Sequence, residues 1–69
     1  MKYTRHTYIM QFPKDIQMGI LRAVRRNLRE RGLRGTKLDI AVNNAKYGTL
    51  TDLEDVIYVD YWLMKADKH

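Results

Sequence analysis

The stretch Thr51-Asp52-Leu53-Glu54-Asp55-Val56-Ile57-Tyr58-Val59-Asp60-Tyr61-Trp62-Leu63-Met64 decides the fold, because its two halves favour different backbone conformations. Thr51 followed three residues later by Glu54 has the form of a capping box, and Asp52, Glu54 and Asp55 place negative charge where a helix N-terminus prefers it. From Val56 to Trp62 the residues are mostly β-branched or aromatic, which suits a pleated and half-buried strand. The reading is a short helical turn that hands over to a strand ending near Met64, with a continuous helix as the alternative. Working outward, Lys2 to Phe12 holds Tyr, Thr, Ile, Met and Phe in partial alternation and is expected to form a second strand, stopped by Pro13.

Between these ends the period changes to that of a helix. Ile16, Ile20, Leu21, Val24 and Leu28 fall on one arc with Ala23 at its edge, so a helix is expected from Lys14 to Arg31 with Gly32 as its C-terminal cap. A second helix is expected from Thr36, whose spacing to Asp39 is a looser capping box, up to a stop at Gly48. Its apolar face would be Leu38, Ala41, Val42 and Ala45; against it, Leu38, Ile40 and Val42 alternate in the manner of a strand, and Ile40 and Tyr47 fall on the wrong side. The elements add up to an α+β domain over residues 1–69, the two end strands pairing as an antiparallel ribbon with the helices on one face. The alternative is an all-α arrangement of three helices with a strand-like N-terminal arm. A two-stranded ribbon leaves exposed edges, and a chain of 69 residues has a small core. A homodimer formed near Tyr3 to Met10 or Tyr58 to Met64 is therefore expected.

Composition removes much chemistry. The chain has no Cys and no Ser, which excludes disulfides, thiolate metal ligands and the usual acyl-transfer nucleophiles. His6 and His69 lie near the chain ends, where catalytic geometry is hard to hold, so no catalytic residue and no enzyme activity is expected. Asp52, Glu54, Asp55 and Asp60 form a carboxylate cluster, but capping and dipole complementarity explain most of it, and no metal or cofactor is expected. No apolar run is long enough to cross a membrane and the first residues are too polar for a secretory signal, which leads to the expectation of a cytoplasmic protein.

The charge distribution is the main functional signal. Met1 to Lys46 holds eleven basic and three acidic residues, a balance of +8, whereas Tyr47 to His69 holds two basic and five acidic, a balance of −3. Arg22, Arg25, Arg26, Arg29, Arg31, Arg34 and Lys37 are concentrated in one helix and the loop after it, against the single Glu30. Arg presents a planar fork that matches phosphates bidentately, and a basic helix face extended by a basic loop is a footprint of nucleic-acid binding. A solvated helix face is the bland alternative, but such a face would normally alternate signs. The helix, Gly-Leu-Arg-Gly turn and helix also have the outline of a helix-turn-helix, although here the basic helix comes first and the second offers few base-reading side chains. Tyr58, Tyr61 and Trp62 are either core, together with Tyr3, Tyr8 and Phe12, or anchors of a protein interface.

Two stretches, Phe12-Pro13-Lys14-Asp15-Ile16-Gln17 and Gly48-Thr49-Leu50-Thr51-Asp52-Leu53-Glu54-Asp55-Val56-Ile57, resemble segments of small uncharacterised proteins carried by prophages and mobile elements of Gram-positive bacteria. The resemblance implies a small non-enzymatic phage protein that regulates phage genes or blocks host enzymes, anti-CRISPR proteins among them. Two functional expectations result. In the first, the Arg face engages nucleic acid or a nucleoprotein complex. In the second, the chain is an inhibitor of a host protein target, docking through the aromatic and acidic C-terminal segment.

Overall fold

The apolar periodicity of residues 14–30 is realised as the long helix on which everything else packs. The computed structural model describes residues 2–69 and places three helices in order: α1 (Lys14–Glu30), α2 (Gly35–Ala45) and α3 (Val59–Asp67). Short 3₁₀ turns at Ile9–Gln11 and Leu50–Leu53 precede α1 and α3. The molecule measures 35 × 18 × 17 Å, its long axis comparable to that of a 17-residue helix plus its flanking turns.

α1 begins after Pro13, whose carbonyl accepts from the Gln17 amide at 2.9 Å, and ends at Gly32 with φ 104°. The Leu33 amide returns to the Leu28 carbonyl at 3.0 Å, the six-to-one closure of a Schellman motif. Ile16, Ile20 and Val24 are buried, with Leu21 and Leu28 packed half-buried beside them. In α2, Leu38 and Val42 are buried, while Ile40 and, beyond the helix end, Tyr47 are exposed, so the two residues that counted against a helix stay outside the core. α2 starts two residues earlier than the Thr36 capping box would have it. Arg34 occupies the N-cap, and Asp39 pairs with Arg25 instead of capping.

The α+β expectation is overturned. Among the described residues there is no strand, and the one β-type pairing is an isolated antiparallel bridge between Tyr8 and Thr49. The N-terminal segment does not alternate faces. It buries Ile9 and Phe12, three residues apart, on one side of a 3₁₀ turn. Gln17 of α1 fastens that turn by donating from Nε2 to the Met10 carbonyl at 2.9 Å and the Phe12 carbonyl at 2.7 Å. Two backbone bonds join the segment to the loop before α3: Ile9 N–H to the Gly48 carbonyl at 2.9 Å, and Thr51 N–H to the Arg5 carbonyl at 3.0 Å.

The C-terminal strand is likewise a helix. With the N-terminal segment coiled into a turn, residues 56–64 have no strand to pair with, and an unpaired strand would leave its backbone groups unsatisfied. α3 satisfies them internally and buries Val59, Leu63 and Ala66, spaced i, i+4 and i+7. The capping box ahead of α3 lies at Thr49 and Asp52, two residues before the expected Thr51 and Glu54; Asp52 Oδ2 accepts from the Thr49 amide at 3.0 Å. The edge-pairing argument for a homodimer loses its basis, since neither edge exists among the described residues.

Candidate nucleic-acid interface

α1 places Arg22, Arg25, Arg26 and Arg29 on one side of the helix, but α2 and α3 flank that side and divide it. At 100° per residue, Arg25 lies about 100° from Arg26, so the two lean towards different neighbours. Arg25 leans to α2, where its Nη1 donates to Asp39 Oδ1 at 2.8 Å. Arg22 and Arg26 lean the other way, into a groove between α1 and the Val56–Lys65 segment. Arg26 Nε is 3.7 Å from Glu30 Oε1, a loose pair between exposed side chains that subtracts little from its charge. Arg31 is spent structurally: its Nη2 donates to the Asp55 carbonyl at 2.5 Å and fastens the end of α1 to the loop before α3. Arg22, Arg29, Arg34 and Lys37 are exposed and have no carboxylate partner among the described residues.

The acidic C-terminal third is held mostly by one cation of the N-terminal segment. Arg5 pairs with Glu54, and through Nη2 with Asp60 Oδ1 at 2.6 Å. The hydrogen bond to Glu54, followed by the charge of Asp60, raises the Arg5 pKa above its ordinary value. With Asp52 capping its turn, three of the four clustered carboxylates have partners that account for their positions. His69 Nε2 lies 2.8 Å from Asp15 Oδ1, joining the end of the chain to the first turn of α1.

The aromatic residues divide between core and surface. Phe12 is buried and stacks on Tyr3 with centroids 4.7 Å apart, as a core reading requires. Tyr58 is 86% exposed and Tyr61 and Tyr8 are more than half exposed, so the core expectation fails for these three. Trp62 is half-buried, with the six-membered ring of its indole lying on the backbone of α1 at Gly19. Tyr61 meets Trp62 edge to face, with centroids 4.9 Å apart and planes at 80°. Lys65 stands above both rings, its Nζ 5.4 Å from the Tyr61 centroid and 5.6 Å from that of Trp62, and it donates to the Tyr61 hydroxyl at 3.2 Å.

The groove thus brings together side chains that in sequence belong to two separate signals. Arg22 and Arg26 form one bank, and Tyr58, Tyr61, Trp62 and Lys65 form the other, around a volume of about 810 Å³. Arg29, Arg34 and Lys37 lie outside it, and Arg25 and Arg31 are engaged elsewhere. Sequence reasoning missed Gly19, Lys65 and Asn27. A lone Gly inside an otherwise good helix is a signal of close approach, and Lys65 follows Tyr61 at the i+4 spacing that brings helix side chains together. Asn27 gives no such signal. Comparison of the chain with protein-family models, with curated proteins and with solved structures finds no match.

Proposed function

We propose that this protein is a non-enzymatic binding protein whose basic α1 face engages nucleic acid, free or within a nucleoprotein complex. The observation that carries the reading is that Arg22, Arg29, Arg34 and Lys37 are exposed without carboxylate partners among the described residues, although the chain has acidic residues enough to pair them. Glu54 and Asp60 are drawn to Arg5, Asp39 to Arg25, Glu30 to Arg26, Asp15 to His69 and Asp52 to the cap of a turn. A cytoplasmic setting and the phage or mobile-element context belong to the same proposal.

Phosphate contacts release counterions, so log affinity falls linearly with log salt. Fluorescence anisotropy with labelled DNA and RNA across a salt series tests this. Arg29→Ala is expected to weaken binding to all sequences alike and to lower the salt slope by about 1. Arg25→Ala is expected to do less, because Arg25 is already bridged to Asp39. Absence of binding to duplex and single strands at low salt removes the proposal.

A second reading, an inhibitor docking on a host nucleic-acid effector, is favoured by Tyr58, whose ring is almost wholly exposed in the manner of an unoccupied interface anchor. Capture of one dominant protein from a bacterial lysate after nuclease treatment, lost with Tyr58→Ala, would support it. Loss of all captured protein on nuclease treatment removes it.

A further inference from the structure

The groove between α1 and α3 has features that phosphate attraction alone does not use. Its middle carries positive charge from both banks: Arg22 and Arg26, one helical turn apart on α1, and Lys65 on α3. Its acids, Asp15 and Glu30, stand near the two ends of α1, roughly 22 Å apart along the helix at 1.5 Å per residue. Asp15 is taken by His69, and Glu30 lies against Arg26. Between the cations lie aromatic faces. Tyr58 is 86% exposed, whereas Tyr61 is half-exposed, packed edge to face with Trp62 and covered in part by the Lys65 ammonium. The groove is open to solvent, with a volume of about 810 Å³, room for a group that lies along it.

From cations on both banks and the exposed Tyr58 ring between them, we infer that the groove takes an unpaired base of a single nucleic-acid strand, stacked on Tyr58, with the flanking phosphates held by Arg22, Arg26 and Lys65. This rests on the proposed nucleic-acid function and narrows its substrate to single strands. Aromatic platforms interleaved with cations serve strands whose bases are free to stack on protein, whereas the bases of a duplex are already stacked on one another.

The single Trp makes the test direct, since Trp62 lies in the groove. Short single-stranded DNA and RNA oligonucleotides, and the matching duplex, are titrated at low salt while anisotropy of the labelled nucleic acid and emission of Trp62 are followed. The expected result is that single strands of either sugar bind at least about tenfold more tightly than duplex and quench Trp62, because a stacked base alters the ring environment. Tyr58→Ala is expected to weaken single-strand binding by about fivefold or more, with Tyr58→Phe close to the native protein because stacking needs the ring and not the hydroxyl. Tyr58 is 86% exposed, so neither change disturbs the core. Equal or tighter duplex binding, with Trp62 emission unchanged and Tyr58→Ala without effect, overturns the inference and leaves the basic-face reading standing. Absence of binding to every probe removes both.

Discussion

Gly19 sits in the middle of a 17-residue helix, where glycine costs about 1 kcal/mol relative to alanine. A Cβ placed there would lie 2.6 Å from both Cη2 and Cζ3 of Trp62, more than 1 Å inside normal carbon contact. Gly19→Ala therefore combines two opposed effects. Helix propensity contributes a gain of about 1 kcal/mol, and displacement of the indole from α1 costs about 1–3 kcal/mol, as overpacking does elsewhere. The expected net effect runs from zero to a loss of about 2 kcal/mol. Trp62→Leu keeps an apolar stem and removes the distal ring atoms, and in that background Gly19→Ala should become stabilising by up to about 1 kcal/mol. The coupling between the two positions is then about 1–3 kcal/mol. Urea unfolding followed by circular dichroism measures it, since at roughly 1 kcal/mol/M each kcal/mol moves the midpoint by about 1 M. A gain of about 1 kcal/mol in both backgrounds, additive within about 0.5 kcal/mol, would refute the packing of Trp62 on α1.

Ile20 is fully buried, and Ile20→Ala is expected to cost about 2–5 kcal/mol, comparable to the whole stability of a domain this small, so that the cooperative thermal transition at 222 nm disappears. Gly32, at φ 104° with open space around it, should lose about 1–2 kcal/mol on replacement by Ala through backbone conformation alone, read as a lower urea midpoint. Arg5 has a folded pKa raised by its Glu54 hydrogen bond and the Asp60 charge. The stabilisation is therefore complete below the unfolded pKa and is lost only as pH rises through the higher folded one. The difference in Tm between the native protein and Arg5→Gln should accordingly stay constant from about pH 7 to about pH 10, and a difference that shrinks across that window would contradict the pairing.

The parts of the fold legible in the sequence are those determined by local chemistry. Ile16, Ile20 and Val24 recur at the period of a helix, Pro13 and Gly32 punctuate it, and the structure has α1 end within one residue of the expected Arg31. α2 was legible from Leu38 and Val42 for the same reason, although Ile40 and Tyr47 argued against it and turn out to be exposed. The Arg cluster was visible as a cluster, but its division was not. Arg25 is drawn off by Asp39 of α2, and Arg31 by the Asp55 carbonyl, 24 positions away. Position in the primary sequence carries no information on which neighbour a helix face meets.

The ends of the chain show the same boundary more sharply. Val56 to Trp62 has the residue types of a strand, and local preference alone led to the wrong expectation there. A strand, however, is completed only by a second strand, and that depends on what residues 2–12 do. Those residues are coiled by Gln17, held at Ile9 by Gly48 and at Arg5 by Thr51, contacts that span up to 46 positions. With no partner strand available, the C-terminal residues satisfied their backbone internally and buried Val59, Leu63 and Ala66 as a helical stripe. Charge balance, helix period and capping signals are properties of neighbouring residues and were settled in the amino-acid order. Strand or helix at the two ends, and the meeting of Arg22 and Arg26 with Tyr58, Tyr61 and Trp62 in one groove, were settled by packing, because burial and hydrogen-bond pairing between distant segments outweigh the local preference of about 1 kcal/mol per residue at most.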